Sequence, residues 1–264
     1  MPPSTTPESY ADPERDALFI EDQSGRVRLV GDKIQPGTEF ARMCITGVVV
    51  GILGIETPQG DLHVVDVQAP GIPAPVAQPP GRQGGAKVAL LSGLGLGGRG
   101  DAAVDAAFDM LTAWLAGDLG GERIPSAVIA GNSVPAAAWH ADVRSDDPQF
   151  NPYEVADPQL ARLCDAMDAL VVLPGSDDPT SLALPQQPLL RPLMPRAAVR
   201  DSLACVTNPT WFALYGRTVL ATSGQNVDDI VRYAVRGACA PLEAARLTLE
   251  CAHIAPTAPD TLCA

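Results

Sequence analysis

Residues 88–98 read "VALLSGLGLGG", an apolar run opening into a loop that carries Gly93, Gly95 and Gly98. The glycines stand at the G-x-G-x-x-G spacing of a dinucleotide-binding loop. Such a site also needs a helix N-terminus against the pyrophosphate and an acid about 20 residues on, at the end of a second strand. Here "GGRGD" delays the helix. The acid at that distance, Asp118, follows Gly117 at the close of a predicted helix. A Rossmann-type dinucleotide site therefore fits this stretch poorly. An apolar strand that ends in a glycine loop is what a buried sheet in a layered α/β domain produces.

The chain downstream keeps that pattern. "DAAVDAAFDMLTAWLAG" predicts a helix with Asp101 as N-cap and Val104, Phe108, Leu111 and Leu115 as its apolar stripe, ended by Gly117. "SAVIAG" is the next strand, residues 141–157 are a polar insertion, and "PQLARLCDAMDAL" is a second helix facing inward through Leu160, Leu163, Cys164, Met167 and Leu170. "ALVVLPG" is a strand, a Pro-rich loop spans 174–200, and "SLACVTNP" and "RTVLATSG" are further strands. "DDIVRYAV" predicts a short helix capped by Asn226 or Asp228. "PLEAARLTLECA" predicts a last helix with Leu242, Ala245 and Leu249 on its inner side.

Upstream the character changes. Residues 1–15 are Pro, Ser, Thr and acid, a tail with little to bury. "ALFIEDQSGRVRLVG" predicts a hairpin around Gln23-Ser24-Gly25. "CITGVVVGILGIETPQGDLHVVDVQ" repeats the idea, with Gly47, Gly51 and Gly54 as bulge positions. Residues 16–68 thus read as a small β-barrel without a convincing helix, short of one strand. Residues 69–85, rich in proline, are a stiff linker, and 86–264 form the α/β domain.

A formal net charge of -13, from 18 basic and 31 acidic residues, opposes binding to a nucleic-acid backbone. The six cysteines, Cys44, Cys164, Cys205, Cys239, Cys251 and Cys263, form no C-x-x-C pair. They read as buried hydrophobes rather than as zinc ligands or a disulfide framework. Reduced thiols suit the cytosol or nucleus, and no apolar run reaches the length of a membrane span.

Ligands in open α/β sheets bind at the carboxyl ends of strands. The loops there carry Ser92, Asn132, Asp177, Asp178, Asn208 and Ser223 to Asn226. A two-metal hydrolase would place Asp, His and Asn on such loops. The chain has only three histidines, His63, His140 and His253, and only His253 ends a strand-like segment of the α/β domain. No G-x-S-x-G elbow is present. Turn and helix capping accounts for these polar residues better than catalysis does.

Several blocks carry a resemblance. "LPGSDDPTSLALPQQPL", "VTNPTWF", "TSGQNVDDIVRY" and "HIAPTAPDTL", with "LFIEDQSGRVRL", "ITGVVVGILG", "LLSGLGLGG" and "IAGNS" upstream, resemble the B-subunit family of replicative DNA polymerases in its polymerase delta branch. The likeness runs from about Asp16 to Thr261. It implies an OB-fold domain followed by a calcineurin-like phosphoesterase domain, an α/β fold of layered sheets, catalytically dead. Against active relatives of that fold, Gly93 and Gly95 stand where D-x-H is found, Asn132 where the bridging Asp is found, Gly175-Ser176-Asp177-Asp178 where G-N-H-D is found, and Ser223 where a metal-binding His is found. The implied cofactor and metal content is none. The implied partners are the cysteine-rich C-terminal module of the catalytic subunit and a third polymerase delta subunit. The resemblance also implies weak or indirect contact with DNA, none with membrane, and a nuclear compartment. The blocks Pro185, Gln186, Gln187, Pro188 and Gly224, Gln225, Asn226, Asp228, Asp229 are candidate contact surface. Leu190 and "LMP" at 193–195 depart from the family pattern. Family members extend beyond both ends of the resemblance, so the barrel and the sheet are expected to be incomplete. An active metal-dependent phosphoesterase or nuclease is the alternative function.

Overall fold

A computed structural model describes residues 10–12, 14–74, 85–97, 102–134, 153–154, 156–234 and 240–262. The chain forms two compact units, Met1–Val76 with Asn226–Ala264, and Ala77–Gln225.

The first unit holds β1 (Phe19–Asp22), β2 (Gly25–Val30), β3 (Gly51–Glu56) and β4 (Leu62–Gln68) in a four-stranded sheet of order β1-β2-β4-β3. The β1–β2 turn is fixed by Asp22, whose Oδ1 accepts from Ser24 N at 2.7 Å and Gly25 N at 3.2 Å. An Asx turn of this kind sets the hairpin register. β3 and β4 pair antiparallel with a bulge at Leu53/Gly54, while β2 and β4 pair parallel. Parallel pairing requires a crossover, and α1 (Glu39–Met43) lies in it, its first turn capped by Thr38 Oγ1, which accepts from Ala41 N at 3.2 Å. This helix corrects the helix-free reading of the segment. A Ser/Thr cap before so short an apolar run is a weak signal.

Residues 226–264, expected with the α/β domain, group with this unit. Two helices, α5 (Gln225–Tyr233) and α6 (Pro241–Glu250), surround a core of Ile45, Ile230, Ala234, Ala244, Leu247 and Cys251. The buried side of α6 is Ala244, Leu247 and Cys251, whereas Leu242 is 82% and Leu249 58% exposed. The face that periodicity predicts as inner is the outer one. His253 follows α6 outside any strand. Asn226 and Asp228 lie within α5 rather than ahead of it.

The second unit is built on a parallel sheet of order β5-β6-β7-β8: β5 (Val88–Leu91), β6 (Ser126–Ala130), β7 (Ala169–Leu173) and β8 (Leu203–Cys205). One face packs on α2 (Ala102–Ala116), α3 (Ala156–Ala166) and the single turn α4 (Pro195–Ala198), through Phe108, Leu115, Leu160, Leu163, Met194 and Ala197 among others. The other face, through Val128, Val171 and Leu173, packs on the antiparallel hairpin β9 (Thr210–Leu214) and β10 (Arg217–Ala221), using Phe212 and Ala221. Burial on both faces explains why β6 and β7 read as continuous apolar runs.

Details of the α/β reading change. Val104 is 37% exposed, so the buried stripe of α2 is Phe108 and Leu115, with Leu111 half-buried. α3 ends at Ala166, Met167 is buried just beyond it, and Leu170 belongs to β7. β9 is a strand that the sequence pattern does not announce. Asp101, Gly98, His140, Cys239, Cys263 and most of the 141–157 insertion lie outside the described residues. Within that insertion's described part, Tyr153 is fully buried and its hydroxyl donates to Pro179 O at 3.3 Å.

Candidate functional site

The parallel order of β5 to β8 delivers their following loops to one end of the sheet. There the second unit gathers Gly93, Gly95, Asn132, Ser176, Asp177, Asp178 and Ser223. Gly93 N donates to Gly131 O at 3.2 Å, and Ser92 Oγ donates to Ala130 O at 3.0 Å. Asn132 Oδ1 accepts from Asp177 N at 3.1 Å. Gly131 is pressed against the neighbouring loops, for a Cβ there would lie 2.6 Å from Ser223 Cβ. Gly93 and Gly95 have positive φ, 65° and 61°, and open space where side chains would project.

The two adjacent acids part company. Asp178 is fully buried, and its carboxylate accepts from Gly175 N at 2.8 Å and Val134 N at 2.9 Å. Burial pushes this carboxyl above the usual carboxylate range, opposed by the backbone donors. Asp177 is half-buried, and Ser176 is exposed beside it, with its hydroxyl 3.4 Å from Asp177 Oδ1. Ser133, next to Asn132, is also fully buried, and its Oγ finds no hydrogen-bond partner among the described residues.

A second cluster forms around Asn208. Its Nδ2 lies 2.8 Å from Gln186 Oε1, 2.6 Å from Ser223 Oγ and 2.8 Å from Gln225 Oε1, and its Oδ1 accepts from Ser223 N at 3.1 Å. Gln186, fully buried, donates through Nε2 to Gly175 O at 3.1 Å and Ser181 O at 3.0 Å. Gln186 and Asn208 also form a backbone bridge. This network binds the loops after β7, β8 and β10 to one another. The sequence names Asn208 among polar strand-end residues but not as a hub. An Asn-Pro directly after a buried strand is the signal for it.

Of the candidate contact residues, Gln186, Asn226 and Asp229 are buried. Gln186 belongs to the network just described. Asn226 Nδ2 donates to Ile254 O at 2.6 Å. Asp229 accepts from Thr257 Oγ1 and, at 2.7 Å, from Thr261 Oγ1. These three side chains hold the fold and correct the outward-facing reading. Pro185, Gln187 and Asp228 are exposed, while Pro188, Gly224 and Gln225 are half-buried.

A dinuclear metal centre needs a bridging carboxylate and several imidazoles on one spot. The donors at this sheet end do not fit one. Asp178 is turned onto backbone amides, Asn132 offers an amide, and Gly93 and Gly95 offer no side chain. Among the described residues no three His, Cys, Asp or Glu come together as a metal-binding group. The Rossmann reading also fails on geometry, because Asp118 lies in the turn after α2 and not at a strand end. The thiols are no better suited to chemistry. Cys164 and Cys251 are buried, and burial pushes half-buried Cys44 up to about 12 and Cys205 up to about 11. No helix among the described residues is long and apolar enough to cross a membrane.

A parallel sheet whose loops converge at one end, preceded in the chain by a four-stranded β unit, defines a class. Residues 88–264 match the family of the DNA polymerase alpha/epsilon B-subunit, and residues 1–67 match the DNA polymerase delta subunit OB-fold domain. The chain belongs to the DNA polymerase B-subunit family. Among its relatives is the DNA polymerase delta small subunit of Arabidopsis thaliana, 35% identical over 98% of this chain and 59% of the relative. The Saccharomyces cerevisiae DNA polymerase delta small subunit is 33% identical over 96% of this chain and 58% of its own length. The Drosophila melanogaster DNA polymerase delta subunit 2 is 34% identical over 99% and 61%. The chain thus spans about three fifths of the length of the curated relatives it matches.

Proposed function

We propose that this chain acts as a non-catalytic accessory subunit of replicative DNA polymerase delta. It works as a scaffold in the nucleus, holding the cysteine-rich C-terminal module of the catalytic subunit and a third subunit. Relatives from a plant, a yeast and an insect that carry the polymerase delta subunit name support the assembly. One observation supports the absence of catalysis above the rest. At the strand ends the carboxylate of Asp178 is fully buried and engaged by the amides of Gly175 and Val134. The surrounding strand ends, from Gly93 to Asn132 and Ser223, read as the remnant of a phosphoesterase centre. An acidic scaffold seats a basic partner without competing for the template.

The test is co-purification of the chain with the C-terminal region of a polymerase delta catalytic subunit, alongside a manganese-dependent nuclease assay. Retention of the partner and no phosphodiester hydrolysis are expected. Hydrolysis that Asp178→Ala abolishes would replace the scaffold with the active-nuclease alternative.

A further inference from the structure

Charge is not spread evenly along this acidic chain. Residues 179–227 hold four arginines, Arg191, Arg196, Arg200 and Arg217, and a single acid, Asp201, so that 30 of the chain's 31 acidic residues lie elsewhere. Arg200 is spent on Asp165, whose two oxygens it meets at 2.7 Å each. Arg191, Arg196 and Arg217 are exposed, and none of them pairs with a carboxylate among the described residues. Two of these cations share a patch with exposed aliphatic side chains. The Arg191 guanidinium donates to Leu203 O at 3.1 Å and to Ala198 O at 2.5 Å, which places its head against the peptide that leads into Val199. Arg196 precedes Val199 by three residues across the single turn α4, the spacing of helical neighbours. Val199 is 77% exposed, and Leu190, directly before Arg191, is 56% exposed. The acid closest to Arg196, Asp157, is buried, and its carboxylate accepts from Arg196 N at 2.9 Å and Ala197 N at 2.8 Å.

We propose that Leu190, Arg191, Arg196 and Val199 form a docking patch for an acidic segment of a partner polypeptide, one that sets carboxylates beside an aliphatic side chain; the proposal rests on the scaffold reading above. Charge selects the acids. Two guanidiniums without a carboxylate leave positive potential that incoming acids offset, and the Arg191 fork keeps N–H groups beyond the two bonds it already makes. The aliphatic neighbours select a peptide over a nucleic acid. A single strand is held by cations along its backbone and by aromatic rings under its bases, and Leu190 and Val199 supply neither. They gain from apolar side chains instead. Pro192 and Pro195 fix the backbone between the two arginines, so binding orders little on this side. A second copy fits badly. A two-fold contact would set the arginines against their own copies, and a head-to-tail contact leads to rings or filaments rather than a dimer.

The test uses the full chain co-expressed with the catalytic and third subunits of polymerase delta, with a photo-crosslinking residue at position 199. Crosslinks are expected on an Asp- or Glu-rich segment of another subunit. Arg196→Glu and Val199→Asp should each lower that subunit's retention about tenfold. Arg196→Ala should lower it severalfold at low salt, with the effect gone at high salt, and Arg196→Lys should keep most of it. Thermal melts of the variants should match the parent, because both side chains are exposed. Crosslinks to residues 1–9 or 135–152 of the same chain, or to a second copy, overturn the proposal. So does binding of a labelled single-stranded oligonucleotide that Arg196→Glu abolishes, since the patch would then serve phosphates. If the parent chain itself fails to assemble, the scaffold reading falls and takes the patch with it. If the parent assembles and the variants behave like it, only the patch falls.

Discussion

Gly131 and Gly175 touch backbone to backbone, so closely that a Cβ on Gly131 would sit 2.9 Å from Gly175 Cα. The loops after β6 and β7 cross there with no room for a side chain from either. A Cβ on Gly175 would meet Asn132 Oδ1 at 2.3 Å and Asn132 N at 2.6 Å. Gly175→Ala is therefore expected to cost about 1–3 kcal/mol through overpacking. Gly131→Ala adds the strain of φ 83° and should cost more. Urea midpoints of the two variants check this, and a Gly175→Ala midpoint equal to the parent's contradicts the crossing.

Asp178→Ala strands the N–H groups of Gly175 and Val134. At roughly 1–3 kcal/mol for each unsatisfied buried donor, the variant should be among the least stable at this end of the sheet. Asp178→Asn keeps one acceptor and should lose less. Thermal denaturation of the two side by side gives the order, and equal losses would mean the amides find other partners.

The same pair gives a pH test. Burial raises the Asp178 carboxyl above its ordinary 3.8, so the native state keeps this proton to higher pH than the unfolded chain does. Its contribution to stability is fully present below 3.8 and is lost as pH rises through the elevated native value. Asp178→Asn does not titrate. The stability of the parent relative to Asp178→Asn should thus fall with rising pH across the acid range, then level off. A difference that grows with pH there would mean the backbone donors outweigh burial.

Asn208→Asp exchanges a donor for an acceptor among oxygens. Gln186 Oε1, Ser223 Oγ and Gln225 Oε1 all lie within 2.8 Å of the present Nδ2. A charged carboxylate there should cost roughly 3 kcal/mol or more. Part of that loss should return on acidification, when the neutral acid donates one hydrogen. Denaturation of the variant at acid and neutral pH reads this directly.

Leu247→Ala should cost about 2–5 kcal/mol, as a buried leucine does. Leu242→Ala should stay within about 0.5 kcal/mol, as an exposed one does. The reverse result, in chemical denaturation of the two variants, would restore the face that periodicity suggests for α6.

That helix shows where the sequence stops informing. Three candidates, Leu242, Ala245 and Leu249, outrank Ala244, Leu247 and Cys251 in apolar bulk, yet the smaller set is buried because Ile45 and Ile230 pack against it. Facing is a tertiary decision here. The strands β5, β6 and β7 are plain in the sequence because burial on both faces leaves unbroken apolar runs. β9 is obscured by Thr210 and Trp211 following a proline, and the turn that makes it a hairpin rests on Tyr215 and Gly216 at positive φ. At the sheet end, the gathering of Gly93, Asn132 and Asp177 follows from strand order and is readable, whereas Ser223 arrives on the separate hairpin β9–β10. The division of labour between Asp177 and Asp178 is not. Two adjacent acids look alike in sequence, and only the crossing of the Gly131 and Gly175 loops turns one of them inward.

The sheet order β5-β6-β7-β8 is also the order of synthesis. Each strand leaving the ribosome finds its pairing edge already formed, so the layer can grow at the pace of translation with no long-range search between its members. The polar clasp around Asn208 obeys a different clock. Its four side chains span Gln186 to Gln225, and none of its bonds to Ser223 or Gln225 exists until the hairpin has emerged. In hydrogen exchange the β6–β7 ladder should therefore belong to an early, strongly protected unit. The loops it carries should protect together, last, and as one.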